Sequence, residues 1–376
     1  MKYTEYELGQ INIEVIDGDR GKNYPHQDEL LEEGSCVFLS ANNVTSSGFK
    51  FDSVVYITEE KDKKLRNGKL TRNDIVITTR GTVGNVGLFD DSVPFTDMRI
   101  NSGMLIVRCG KGVDYRYLYY VLRGGSFQKQ ILQIRTGTAQ PQLPKSHFLR
   151  MKVELPPIDI QQKIAKVLGT IDEKIKNNDV TNENLAQLAQ AIYADIFITN
   201  ADPAWPIGYL SDLITVRYGK DHKKLDNGPF PVYGSGGVMR YVERPIYEKE
   251  SVLIPRKGTL NNVMYVNEPF WSVDTMFYTE MKLPDVAKFI YHFVKSKDLA
   301  SLNAGSAVPS MTTDILNAME LCIPDPETLK CFESIVGPMY RAMQHNTEES
   351  KKLAAVRDSL LPRLMSGELD VSKLDL

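Results

Sequence analysis

The sequence predicts a mixed α+β (α/β) chain with a pseudo-twofold internal repeat, in which two globular regions alternate with two long helices forming a coiled-coil spacer. Three observations carry that expectation. Two halves of the chain align at an offset near 170 residues. The offset drifts through the globular parts and then holds constant along two segments with an apolar seam. The length of 376 residues exceeds one ordinary domain, and 42% hydrophobic with 25% charged content supplies two packed cores. The divisions fall at residues 1–155 (first globular region), 156–200 (first spacer helix), 201–323 (second globular region) and 324–376 (second spacer helix and C-terminal tail).

In the first region, Val54-Val55-Tyr56-Ile57 and Met104-Leu105-Ile106-Val107 have the β-branched content and length of strands. Residues 117–134 carry apolar side chains at helical spacing, broken at Gly124-Gly125. The stretch Ile75-Val76-Ile77-Thr78-Thr79-Arg80-Gly81-Thr82 is repeated as Val252-Leu253-Ile254-Pro255-Arg256-Lys257-Gly258-Thr259, an offset of 177. There, Val252-Leu253-Ile254 and Val263-Met264-Tyr265-Val266 flank a turn at 258–262, which predicts a hairpin. Tyr117-Leu118-Tyr119 answers to Phe289-Ile290-Tyr291, and Gly137-Thr138-Ala139-Gln140-Pro141 to Gly305-Ser306-Ala307-Val308-Pro309, now at 168.

From there the offset of 168 holds without a gap, as a long helix that tolerates no insertion requires. Alternating four-and-three spacing gives one seam through Ile164, Leu168, Ile171, Ile175, Asn178, Asn182, Leu185, Ala189, Ile192 and Ile196. The second runs through Phe332, Val336, Met339, Met343, Asn346, Ser350, Leu353, Arg357, Leu360 and Leu364. Both have apolar ends and a polar centre, and polar seam residues fix register at a cost in stability. At 1.5 Å per residue, 164–196 is a rod of roughly 50 Å. Two ordinary amphipathic helices packed in separate domains are the alternative. A linker falls at 199–206, rich in Asn, Asp and Pro.

The start of the chain is polar and lacks a secretory apolar stretch, and no apolar run reaches membrane-helix length. Cys36, Cys109, Cys322 and Cys331 form no CxxC pair, so a reducing cytoplasmic location is expected. Enzyme motifs fail in turn. The five histidines (His26, His147, His222, His292, His345) fall in no metal-ligand spacing, so no metal site is expected. No GxxxxGK[ST] phosphate loop and no GxSxG elbow is present, and Gly234-Ser235-Gly236-Gly237 reads as a turn. Pro324-Asp325 with Glu349-Ser350-Lys351 imitates a PD…ExK nuclease signature. On one continuous helix those carboxylates are about 36 Å apart, too far to share a metal. No catalytic residue is assigned.

With a net charge of −3, any nucleic-acid surface must be local. Residues 61–80 hold seven basic side chains, Lys61, Lys63, Lys64, Arg66, Lys69, Arg72 and Arg80, against Asp62 and Asp74. The second region offers Lys220, His222, Lys223, Lys224, Arg240, Arg244, Arg256 and Lys257, interleaved with Tyr218, Tyr233 and Tyr241. Arginine and asparagine suit bidentate reading of guanine and adenine edges, and lysine suits phosphate. The candidate DNA-binding residues are therefore Lys64, Arg66, Arg72, Thr79, Arg80, Gln140, Lys220, Lys223, Lys224, Ser235, Arg240, Arg256, Lys257, Asn261 and Asn262. A solvated lysine loop and a protein-interaction scaffold with two spaced domains are the competing readings.

These stretches carry a family likeness. The run from Tyr233-Gly234-Ser235-Gly236-Gly237 through Val252-Leu253-Ile254-Pro255-Arg256-Lys257-Gly258-Thr259 to Trp271-Ser272-Val273-Asp274-Thr275 resembles the target recognition domain of type I restriction–modification specificity subunits. Asp74-Ile75-Val76-Ile77-Thr78-Thr79-Arg80-Gly81 is similar to the same domain. Leu155-Pro156-Pro157-Ile158-Asp159-Ile160-Gln161-Gln162 resembles the start of the family's spacer helix, and Leu360-Leu361-Pro362-Arg363-Leu364-Met365-Ser366-Gly367 its helix end. The resemblance implies antiparallel spacer helices and two domains that each read half of a bipartite, non-palindromic duplex DNA site. It implies a subunit without a catalytic centre or cofactor of its own. Two methyltransferase subunits using S-adenosylmethionine on adenine, and restriction subunits using ATP and magnesium, are the implied partners. A half-sequence relative acting as an anti-restriction or orphan regulator is the related alternative.

Overall fold

The computed structural model describes residues 3–134, 141–302 and 310–374. The chain divides into two compact units, Met1–Asn177 with Glu349–Leu376, and Asn178–Glu348. Each consists of a globular region and parts of both long helices, Ile158–Ala194 and Pro326–Met365.

The first unit is built on a four-stranded antiparallel sheet in the order Ile13–Asp17, Met104–Cys109, Asp74–Thr78, Val86–Phe89. The strand Asp74–Thr78 is buried along its whole length, and that explains its uninterrupted apolar run. Ile75 and Ile77 point to one face, into a core with Leu105, Val107, Tyr117, Leu118 and Phe148. Val76 points to the other, with Leu39, Met98, Ile100 and Ile106. A second sheet orders Tyr56–Ile57, Cys36–Leu39 and Met98–Ile100, the last pair parallel. Tyr115–Arg123 and Gly125–Ile134 are separate helices, divided at the predicted glycines. Thr4–Glu7 pairs with Lys152–Leu155, which leads directly into the long helix.

The second unit repeats this plan element by element. Its four-stranded sheet runs Ile214–Tyr218, Met276–Met281, Ser251–Pro255, Met264–Val266, and the last pair is the predicted hairpin. Its three-stranded sheet runs Gly237–Val242, Phe230–Gly234, Trp271–Ser272, again with one parallel pair. Ile207–Tyr209 pairs with Glu320–Cys322 as Thr4–Glu7 does with Lys152–Leu155. The repeat thus extends upstream of what the sequence reveals. Leu8 N–H donates to the Met151 carbonyl and Leu210 N–H to that of Met319, which places the offset at 202 near the N-terminus.

Every seam position of both helices is buried or half-buried. In the first unit Ile164 and Leu168 meet Leu360 and Leu364 within the globular core, not on an isolated rod. In the second, Ala189, Ile192 and Ile196 pack with Phe332, Val336 and Met339 around Phe289 and Phe293. The apolar seam ends therefore belong to the two globular cores. The polar centre of the second unit is a hydrogen-bonded set: Asn346 Nδ2 donates to Asn182 Oδ1 at 2.9 Å, and Asn182 Nδ2 to the Met343 carbonyl at 3.2 Å.

Candidate nucleic-acid interface

The same loop crossing is constructed in both units. In the second, the backbone N–H groups of Arg256 and Lys257 both donate to the Thr275 carbonyl, and Met311 N–H donates to the Arg256 carbonyl. In the first, Thr79 and Arg80 N–H groups both donate to the Gly103 carbonyl, and Leu143 N–H donates to that of Thr79. Gly258 and Gly81 follow with φ of 86° and 70°, the left-handed conformation that glycine adopts without strain. A Cβ on Gly258 would meet Ser235 Oγ at 3.0 Å, and one on Gly81 would meet Ala41 Cβ at 3.6 Å. Each turn thus rests against the loop leaving the three-stranded sheet.

At these crossings Arg80 and Lys257 are exposed, and no hydrogen bond or ion pair engages their side chains among the described residues. Lys220 and Lys224 are likewise exposed without such a partner, and Lys223 is exposed beside Asp221. Arg256 is half-buried: its guanidinium lies over the Tyr218 ring, 5.4 Å from the centroid, and Nη1 donates to the Asp274 carbonyl at 3.0 Å. Gly234-Ser235-Gly236-Gly237 is the hairpin turn expected, with Gly237 at φ 105°.

The other candidates are placed differently. Thr79 is buried, with 5% of its surface exposed. Arg72 is a staple: it donates to the carbonyls of Asp90 at 2.7 Å and Phe95 at 3.0 Å and lies over the Phe89 ring. Arg240 reaches the Leu225 carbonyl at 2.8 Å, and Asn227. Asn262 ties its loop to the Ser235 carbonyl at 2.6 Å, while Asn261 bridges Asp298 and the Ala300 N–H. The basic run at 61–80 is mostly internal ion pairing, Lys61 with Glu29, Lys63 with Glu59, Lys64 with Glu60 and Lys69 with Asp62. Counting charges from residue 61 onward left out Glu59 and Glu60, one turn back on the same helix, and Glu29, which the fold brings back from 32 residues upstream. Arg66 is exposed, its N–H bonded to Asp19. Gln140 lies outside the described residues.

The nuclease-like carboxylate Asp325 is a helix cap. It accepts from the N–H groups of Glu327 and Thr328, the Thr328 hydroxyl and Trp205 Nε1, and the Thr328 contacts hold its pKa down at about 2. Burial pushes the Cys36 and Cys109 thiols up to about 12, so neither is poised as a nucleophile. Among the described residues no group of His, Cys, Asp or Glu could hold a metal ion, and no helix is long and apolar enough to cross a membrane.

Sequence reasoning missed Arg20. In the first unit its Nη2 donates to the Ser102 carbonyl at 3.3 Å and faces Asp17 Oδ1 at 3.4 Å, with the side chain 54% exposed. Ser102 precedes Gly103 as Asp274 precedes Thr275, so this carbonyl is the counterpart of the one that holds Arg256.

The chain is 23% identical over 361 residues to the type I restriction enzyme MjaIX specificity subunit of Methanocaldococcus jannaschii, spanning 85% of this chain and 82% of that one. It is 21% identical to the HindI specificity subunit of Haemophilus influenzae across 98% of this chain and 99% of the other. The fold is that of the type I restriction–modification S subunit from M. genitalium, with a TM-score of 0.63, 18% identity and coverage of 99% and 97%. The model of the type I restriction modification DNA specificity domain matches residues 2–187 and 204–349, so the chain belongs to that family, with the domain present twice.

Proposed function

We propose that the chain is the DNA-specificity subunit of a type I restriction–modification complex. Each unit reads one half of a bipartite, non-palindromic duplex site, and the two long helices set the unread gap as an antiparallel coiled-coil spacer. One observation carries this reading: an identical backbone crossing occurs twice, with a basic residue kept at its tip (Arg80, Lys257) and different side chains around it. A tip lysine or arginine suits phosphate, which is common to all sites, whereas divergent neighbours suit two unlike base sequences.

The chain contributes recognition in this reading, and partner subunits contribute the chemistry. Methyltransferase subunits with S-adenosylmethionine would modify adenine, and restriction subunits with ATP and magnesium would cut. The testing experiment is selection from a random-core duplex library by the full-length chain, alone and with a co-expressed type I methyltransferase subunit. Two short unlike motifs at one fixed spacing are expected. No enrichment in either form would sink the reading and favour a protein scaffold.

A further inference from the structure

The two units anchor an arginine on equivalent carbonyls by different routes. In the second unit Arg256 comes from the strand Ser251–Pro255 side and is held by the Asp274 carbonyl and the Tyr218 ring. In the first, the residue at the Arg256 position is the buried Thr79, and Asp17 stands where Tyr218 stands. The latter match follows from register, since Asp17 pairs with Leu105 and Tyr218 with Phe277. With both members of the stack replaced, the Ser102 carbonyl is filled instead by Arg20, which follows the strand Ile13–Asp17 and is steadied by Asp17.

An arginine that reaches one place from two different chain positions shows that the place matters and the chain position does not. Arg256 is held through Nη1 alone, whereas Arg20 bonds both the Ser102 carbonyl and Asp17 through Nη2, the nitrogen its two forks share. For Arg256, Nε and Nη2 form no hydrogen bond among the described residues. A planar fork held by one edge is preorganised to donate two parallel hydrogen bonds from the other, the pattern that guanine O6 and N7 accept. Each arginine also stands one crossing away from an exposed tip cation, Arg80 or Lys257, suited to phosphate.

We propose that Arg20 and Arg256 are counterpart specificity-determining residues, each acting in the half-site of its own unit: Arg256 reads one guanine through its open fork, and Arg20 contacts a base acceptor through its remaining N–H groups. The assignment rests on the DNA-reading function above and adds which side chains read.

The test is library selection, with random-core duplexes as probe, using the full-length chain and its complex with a methyltransferase subunit. The proteins compared are wild type, R20A, R20K, R256A and R256K, with R80A and K257A as controls. Each Arg256 variant should lose preference for guanine at one position of one half-site, by between about 5-fold and about 150-fold, and each Arg20 variant should relax base preference at one position of the other. The two arginines should affect different half-sites. The lysine variants keep the charge but lose the fork, so they should relax the same position, and the untouched half-site certifies folding. The tip controls should weaken binding across all sequences and lower the salt slope by about 1. A wild-type motif whose letters survive R20A or R256A overturns the assignment, as does equal weakening of both half-sites. Failure of wild type to enrich any bipartite motif sinks the DNA-reading function itself and this assignment with it.

Discussion

Arg357 Nη1 donates to Asp172 Oδ1 at 2.7 Å, and Tyr120 donates to the other oxygen of the same carboxylate at 2.7 Å. The pair is largely buried, with 19% and 27% side-chain exposure. Burial and the adjacent carboxylate push the Tyr120 hydroxyl well above its ordinary pKa, so it stays a donor. At the repeat-equivalent positions the second unit has Ala189, Tyr340 and His292 in place of Arg357, Asp172 and Tyr120. There Tyr340 and His292 contact each other at 2.9 Å. The difference between Ala189 and Arg357 at equivalent seam positions is thus one part of a three-residue exchange of an ionic node for a neutral one.

Removing the cation alone strands a half-buried carboxylate. Arg357→Met should destabilise the chain by about 1–3 kcal/mol, whereas Asp172→Leu combined with Arg357→Met should cost less than the two single changes summed. Denaturant midpoints of the four proteins give the coupling directly. A coupling near zero would mean that solvent already screens the pair.

The neutral node predicts an acid-sensitive second unit. His292 is 2% exposed and stacks on Tyr193, and desolvation lowers its pKa from 6.5 to about 4. The neutral ring with its proton on Nδ1 satisfies both neighbours, donating to Gln190 Oε1 at 2.8 Å and accepting from Tyr340. Because the folded pKa lies below the unfolded value, the unfolded chain binds more protons between about pH 4 and 6.5. Stability is fully present above 6.5 and falls as pH drops through that window, by about 3 kcal/mol at most. His292→Gln should flatten that part of the stability–pH curve, measured by urea denaturation. An unchanged slope would assign the acid sensitivity to other groups.

A second buried charge makes a separate prediction in the same unit. Lys288 is 5% exposed, pairs with Glu333 at 2.8 Å and Glu250 at 3.6 Å, and lies over the Tyr265 ring at 5.0 Å. Lys288→Met leaves two carboxylates facing each other without a cation and should cost about 3–5 kcal/mol. Adding Glu333→Gln should recover part of that loss; no recovery would mean that the lysine stem's packing dominates.

The repeat was legible where elements tolerate no insertion. A gap-free offset of 168 revealed the helices, and the 177 offset at Thr79/Arg256 coincides with matching backbone hydrogen bonds. Upstream the offset climbs to 202, because loops of different length separate matching strands, so Asp17 and Tyr218 could not be aligned by eye. Arg20 was invisible for that reason, since its role depends on a carbonyl 82 residues away. What engages Arg72 and Asn262 was hidden in the same way: residue type suggests base reading, and only the fold reveals the carbonyls they serve.

Backbone strain at the crossings offers a way to perturb each unit alone. Alanine at Gly81 or Gly258 must adopt a positive φ, which costs about 1 kcal/mol or more. At Gly258 the added methyl also presses on Ser235 Oγ at 3.0 Å, while at Gly81 the nearest atom is an ordinary 3.6 Å away. Gly258→Ala should therefore displace Lys257 and weaken one half-site more than Gly81→Ala weakens the other. Selection of half-sites by each variant reads the difference, and equal losses would show that strain alone sets the effect.

The spacer reading makes the most demanding prediction. The helices are 37 and 40 residues long, and a seven-residue insertion adds about 10.5 Å while restoring the seam's face. Placed at matching points in the polar centres of both helices, near Asn182 and Asn346, it leaves the two globular cores and their loop crossings untouched. Both half-site motifs should then persist while the preferred gap grows by about 3 base pairs, the added length divided by 3.4 Å. Insertion in one helix alone breaks the register of Asn182 with Asn346 and should lower stability without selecting a new gap. If the doubly lengthened protein retains both motifs at the original spacing, the helices do not set the distance, and the gap must be fixed by the DNA or the partner subunits.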